Sequence, residues 1–291
     1  MSYELFIGDY AYSSWSLRGW LLFRKLGLTP TTHLVDFNKA EVFEQLPDMA
    51  PARTVPALRL PEGTAIWDSL AMAEELHSRH PDGGLWPDDP AARALGRALA
   101  AEMHSGFSAL RSECPMNLRT AYRNPPLSDA TETDIARIET IWTHARAQYA
   151  DQGPWLLGTY SIADIAFAPV AARFAGYDVA LSDVAQAYVD SHLSETWFRQ
   201  WRTMALVTGD TLPWYAKPFD TKAWPGPRPL TAKIVGSGPA VNDTCPFTGG
   251  KPAYFLELDG IVYGFENQLC RDETAHDPAA WPAFMALTTP A

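Results

Sequence analysis

Tyr12-Ser13-Ser14-Trp15-Ser16-Leu17-Arg18 lies between a short β-type run, Tyr3 to Gly8, and an amphipathic helical run, Leu17 to Leu26. A hydroxyl in a turn between a first strand and a first helix sits beside backbone N–H groups that lack an intrahelical partner. Their partial positive charge stabilises an anion such as a thiolate. Ser13, Ser14 and Ser16 compete for that role, and helix N-capping accounts for any of them without chemistry.

Working outward, Leu34 to Phe37 reads as a second strand, Pro56 to Leu60 as a third, and Ser69 to His80 as a helix with Asp68 or Ser69 as its cap. Residues 1–82 therefore alternate strand and helix as a βαβ unit followed by further strands and a helix. The Ser turn, then Arg53-Thr54-Val55-Pro56-Ala57-Leu58-Arg59-Leu60, then Ala65-Ile66-Trp67-Asp68-Ser69-Leu70-Ala71 together resemble the glutathione S-transferase family. The resemblance implies an α+β/α architecture: an N-terminal thioredoxin-like βαβ-ββα domain, a C-terminal all-α domain and, here, a small β-hairpin/helix extension. It implies a cis Val55-Pro56 bond presenting backbone to the cysteinyl part of glutathione, and Asp68 with Ser69 receiving the γ-glutamyl end. The resemblance further implies Arg53 or Lys39 as the partner of the glycyl carboxylate, with a surface charge as the plainer reading of Arg53.

Pro81-Asp82-Gly83-Gly84 breaks the chain, and Asp89-Pro90 opens a helix with an N-cap and a proline at its first position. Residues 83–206 then read as helical. Leu95, Leu99, Met103, Phe107 and Leu110 fall on one face of a long helix that ends or kinks near Cys114-Pro115. Ile135, Ile138, Trp142, Ala145 and Tyr149 mark another helix. Ser161 and Asp164 have capping-box spacing before a strongly apolar helix, which makes Asp164 a folding residue. The acceptor pocket is expected at Phe107 to Arg119, near Cys114, Met116 and Asn117.

Residues 207–240 carry six prolines and read as an extended linker or a strap packed along a domain surface. Residues 241–291 form a separate expectation. Tyr254 to Leu258, the turn Asp259-Gly260 and Ile261 to Phe265 make a hairpin, and Pro278 to Phe284 a closing helix. With Cys245-Pro246, Gly250-Lys251-Pro252 and Cys270 this resembles the metal-handling modules of the YHS type, although Glu266 stands where a middle cysteine belongs. Three readings stay open: zinc held by Cys245 and Cys270 with Glu266 and His276 or water, a module that has lost its metal, and a Cys245–Cys270 redox pair. A segment of ~50 residues is small for an independent core without a staple or a docking surface.

The chain has 291 residues, 47% hydrophobic and 20% charged, enough for two domains and a small third. A net charge of −11 argues against nucleic acid as the main partner. No apolar run approaches the ~20 residues of a membrane span, and there is no basic-then-apolar leader, so a soluble cytoplasmic protein is expected. Three cysteines are too few for a disulfide framework.

The resemblance implies a glutathione transferase of the serine type, with glutathione as co-substrate, a small electrophile as acceptor and a homodimer as assembly. A serine hydroxyl donates to the glutathione sulfur and lowers the thiol pKa. Ser14 falls at the theta-class serine position, whereas Ser13 is the first serine of a turn similar to the zeta-class one, with Trp15 in place of its cysteine. Two alternatives stand beside it: a glutathione-dependent cis–trans isomerase of maleyl-type substrates, and a non-catalytic glutathione-binding or scaffold protein.

Overall fold

The structure, a computed structural model, describes residues 2–288; residue 1 and residues 289–291, the ends of the first and last expected segments, lie outside the described residues. The chain forms two compact units, one comprising residues up to Leu193 together with Thr211–Pro225, the other Ser194–Asp210 together with the chain from Gly226 onward.

The first unit opens with a mixed four-stranded sheet of order β2-β1-β3-β4, made by β1 (Glu4–Ile7), β2 (Thr31–Leu34), β3 (Ala57–Arg59) and β4 (Ala65–Trp67). β1 runs parallel to β2 and antiparallel to β3, with Leu5 opposite Leu58. The second strand therefore starts three residues earlier than Leu34. Helix α1 (Ser14–Lys25) supplies the β1–β2 crossover and packs against α2 (Ser69–Arg79). Phe6, Val35, Leu46, Met49, Val55 and Ala57 form a separate buried cluster. The Val55–Pro56 bond is cis.

Helices α3 (Pro90–Ser105), α4 (Ser108–Glu113), α5 (Asp129–Tyr149), α6 (Ile162–Gly176) and α7 (Asp183–Ser194) follow. The expected helix stop at Cys114-Pro115 is present, with Cys114 capping the end of α4, but the helix is also broken earlier, at Gly106-Phe107. Phe107 adopts φ 60, and a Cβ on Gly106 would stand 2.7 Å from the Glu102 carbonyl. Every residue of α6 is buried, and Asp164 closes its capping box. Its carboxylate accepts from the Leu156 N–H (3.0 Å), the Ser161 N–H (2.9 Å) and hydroxyl (3.1 Å), and the Tyr188 hydroxyl (2.9 Å). Strand β5 (Ala121–Tyr122) pairs with β6 (Thr221–Lys222), so the proline-rich return segment is tied to this unit.

The second unit holds α8 (Thr196–Val207), the antiparallel sheet β7 (Ala232–Val235), β8 (Tyr254–Leu258) and β9 (Ile261–Phe265), then α9 (Gln268–His276) and α10 (Pro282–Thr288). The hairpin turn is the expected Asp259-Gly260, with φ 51 and 78. β7 lies at a sheet edge, where flanking Pro229 and Gly236 are tolerated. Leu256, Leu258, Tyr263, Phe265 and Phe284 fill the core. The helix α8 packs on α9, and Arg199 grips Asp277 through two hydrogen bonds, Nε to Oδ2 at 2.9 Å and Nη2 to Oδ1 at 2.6 Å. Among the described residues no helix is long and apolar enough to cross a membrane.

His192 on α7 yields a pH prediction. It is fully buried against the rings of Trp155, Tyr160 and Tyr188, and among the described residues neither ring nitrogen has a hydrogen-bond partner. Burial pulls its pKa down to about 3. The unfolded chain takes up a proton below the ordinary value near ~6.5 while the folded chain does not, so stability is full above that pH and is lost as pH falls toward 3. The slope is about 1.4 kcal/mol per pH unit. In His192→Phe this dependence should vanish. The difference from wild type in urea melts should widen steadily from pH 6.5 to 4.5; a constant difference would show that the histidine is protonated in the fold.

Candidate active site

The Ser turn ends at the N-terminus of α1, and the three serines have separate duties. Ser13 caps α1, its Oγ accepting the Ser16 N–H (3.3 Å) and donating its own proton to Ser16 Oγ (2.7 Å). Ser16 is fully buried and accepts the Gly8 N–H at 2.9 Å. Ser14 is the first helical residue, and its Oγ accepts from Arg173 Nη2 at 3.3 Å. An arginine only donates, so Ser14 keeps its hydroxyl proton for another acceptor.

Ser13 and Ser14 line a cavity of about 590 Å³ with Arg53, Thr54, Val55, Arg111, Arg173 and Tyr215. Arg173 belongs to the buried helix α6. Its Nε and Nη1 are held by the Cys114 and Pro169 carbonyls at 2.9 and 3.1 Å. Burial and then the like charge of Arg111 bring its pKa down to about 10. The groups that offset this are Tyr177, Cys114 and Tyr215, none of them a carboxylate. A buried cation that forms no ion pair with a carboxylate among the described residues makes the cavity attractive to a negatively charged ligand. Arg111 and Arg18 each place a guanidinium over the Trp15 ring, at 4.5 and 4.3 Å, and add to that potential.

A smaller recess of about 230 Å³ adjoins the turn, lined by Trp15, Val55, Pro56, Asp68, Ser69 and His104. Asp68 caps α2, accepting the Leu70 N–H at 2.8 Å, with its backbone at φ 79. Its second oxygen meets His104 Nε2 at 3.0 Å. Arg53 is exposed and lies 4.7 Å over the Phe43 ring, while Lys39 pairs with Asp36 away from the cavity lining. Met116 lines the cavity. Cys114 does not: it is fully buried behind it, and its thiol is pushed up to about 12 by burial.

Two family profiles match, "Glutathione S-transferase, N-terminal domain" over residues 12–79 and "Glutathione S-transferase, C-terminal domain" over residues 128–202. A glutathione transferase homologue from Burkholderia gl BGR1, solved with bound glutathione, superposes with a TM-score of 0.56 at 19% identity, covering 72% of this chain and all of that one. The fold is that of a glutathione S-transferase. Among characterised proteins, a probable maleylacetoacetate isomerase of Caenorhabditis elegans is 34% identical over 99 residues, 34% of this chain and 45% of that protein. The maleylacetoacetate isomerase of Rattus norvegicus is 27% identical over 151 residues, 52% of this chain and 67% of that protein. The chain thus spans less than half of the first relative.

Within the glutathione transferase fold, Ser13, Ser14, Arg53, Val55, Pro56, Asp68 and Ser69 all come to the cavity or its adjoining recess. Arg173, Arg111, His104 and Tyr215 join them without having been read from the sequence. Only Arg173 left a signal: it is a lone charge in a helix otherwise apolar between Ile165 and Gly176.

The zinc expectation for the tail does not fit the donor set. Among the described residues no three His, Cys, Asp or Glu side chains converge on one point. The carboxyl group of exposed Glu266 lies against Gly250, where a Cβ would come within 2.2–2.5 Å of it. His276 is exposed, with Arg202 and Asp272 as the charges that bear on it. Cys245 and Cys270 meet each other, but no third ligand reaches them.

Proposed function

We propose that the first unit is a glutathione-dependent enzyme acting on a small, carboxylate-bearing electrophile, with Ser14 as the hydrogen-bond donor to the glutathione sulfur. The supporting observation is the Arg173–Ser14 contact at 3.3 Å, in which a buried cation polarises the hydroxyl and leaves its proton free. Bound glutathione supplies the sulfur nucleophile, which forms a thioether as a leaving group departs with its electron pair. Ser14 holds the sulfur as thiolate, the α1 N-terminus adds its dipole, and Arg173 with Arg111 neutralises the acceptor's carboxylate. Asp68 and Ser69 hold the γ-glutamyl end, and Val55 pairs its backbone with the cysteinyl unit.

A second reading draws on the maleylacetoacetate isomerases among the relatives and on the same arginines, which suit a doubly acidic acceptor. There the thiolate adds across a cis double bond, the single bond rotates, and expulsion of the thiolate restores the alkene in trans.

Glutathione-agarose retention, conjugation of aryl halides with and without a carboxylate, and direct assay of a maleyl-type acid separate these readings. Faster turnover of the acidic acceptors supports the proposal; retention without turnover leaves a binding protein, and neither leaves a scaffold. Asp68→Ala should weaken glutathione binding roughly tenfold, the value of one charge-assisted contact, in a chain that still folds. Unchanged affinity by calorimetry would remove Asp68 from the site.

A further inference from the structure

The cysteines of the second unit are arranged for chemistry on each other. Cys245 opens a tight turn, donating its N–H to the Gly250 carbonyl at 2.8 Å while its carbonyl accepts the Gly249 N–H at 2.9 Å. Its sulfur accepts from the Thr248 hydroxyl and from the backbone N–H groups of Glu266, Phe247 and Thr248. Cys270 stands in the first turn of α9, where Asn267 Oδ1 accepts its N–H at 2.9 Å. The two side chains hydrogen-bond to each other and pack in one cluster. One helical turn on, half-buried Glu273 bears on the Cys270 thiol.

We infer that Cys245 and Cys270 are a peroxide-oxidisable dithiol, in which Cys245 reacts first and Cys270 resolves it to an intramolecular disulfide. Burial pushes the Cys245 thiol up, but the hydrogen bonds from Thr248, Glu266 and Phe247 together outweigh it, bring its pKa below the ordinary value and favour the thiolate, the nucleophilic form. Burial first, then Cys245 itself, pushes Cys270 up to about 11, so it waits as a thiol. Because Cys245 is only 2% exposed, the oxidant must be small, and hydrogen peroxide is the class that fits.

The Cys245 thiolate attacks one peroxide oxygen, the O–O bond breaks, and hydroxide leaves to be protonated. The Cys270 sulfur then attacks the Cys245 sulfur, the S–O bond breaks, and the departing hydroxide carries off the Cys270 proton as water. Two electrons pass from the thiol pair to peroxide, giving one disulfide and two waters.

The test is thiol counting on the full reduced chain after a stoichiometric peroxide pulse, with maleimide labelling in denaturant and peptide mapping. The three thiols should fall to one, with Cys114 the survivor and the Cys245 and Cys270 peptides joined and lighter by two hydrogens. In Cys270→Ser, dimedone should label Cys245 at least about tenfold faster than it labels Cys270 in Cys245→Ser, following thiolate fraction. Three thiols surviving peroxide that fully oxidises free glutathione in the same tube would overturn the inference. So would preferential labelling of Cys270, or a purified chain carrying a metal that maleimide displaces. The wild-type count decides the matter even if a variant does not fold.

Discussion

Ser14→Ala is expected to lower kcat/KM by about 2–4 kcal/mol of transition-state stabilisation, the range of one donor aimed at developing or held charge. Glutathione affinity should change little, because the contacts proposed for the tripeptide's ends lie at Asp68, Ser69 and Val55. The ultraviolet absorbance of the bound thiolate should shift to higher pH in the variant, which separates loss of a donor from loss of packing. Ser13→Ala is the control. Its hydroxyl proton is committed to Ser16, so its removal should cost roughly 1 kcal/mol of stability as a lost cap and leave most of the rate. If the two variants exchange these phenotypes, the thiolate lies over Ser13 and the polarising role of Arg173 is wrong.

Asp164→Ala is the second large effect, and it falls on stability. The side chain is fully buried and satisfies the Leu156 and Ser161 amides and two hydroxyls across an inter-helix gap. Truncation strands donors that water cannot reach, at about 3–5 kcal/mol. That is a large part of the 5–15 kcal/mol typical of a domain. Asp164→Asn, which keeps acceptor capacity, should recover part of the loss. Chemical denaturation followed by Trp fluorescence measures both, and an alanine variant within 1 kcal/mol of wild type would show that the box is dispensable. Burial also raises the Asp164 carboxyl to about 6, so its contribution to pH dependence is opposite in sign to that of His192. The His192→Phe comparison cancels it because both chains carry Asp164.

The elements with local signals were legible. Pro90 behind Asp89, Ser161 three residues before Asp164, and Asp259-Gly260 between two β-branched and aromatic runs each fix a boundary through bonds among near neighbours. The break in the helix after α3 was not, because Leu99, Met103, Phe107 and Leu110 keep their periodicity straight through Gly106, and Cys114-Pro115 offers the stronger local stop. β7 was hidden by its surroundings of proline and glycine, which forbid an inner strand and permit an edge. Ser14 could be shortlisted but not chosen. What distinguishes it from Ser13 is a guanidinium 159 residues away in sequence, and no spacing rule reports such a pairing. Tyr215 was likewise unreadable, since the stack of its ring on Tyr12 at 4.5 Å depends on the return path of a proline-rich segment that carries only one short 3-10 turn, Pro213–Tyr215, before β6.

The assignment of α8 to the second unit has a topological consequence. The polypeptide passes from one unit to the other three times, near residues 193, 210 and 225, so the tail is not a bead threaded on the end of the chain. It is stitched in. Ending the chain just after Pro225 does not release a whole module but strips α8 of the sheet and helix it belongs with, leaving Arg199 without Asp277 and Gln200 without the Ala280 carbonyl it donates to at 2.8 Å. Nor does removing Ser194–Asp210 spare the first unit, whose closing strand β6 is delivered by the very next residues. Any shortened version of this protein has to be designed by re-routing two crossings, and a version truncated at one end carries a half-built partner with it.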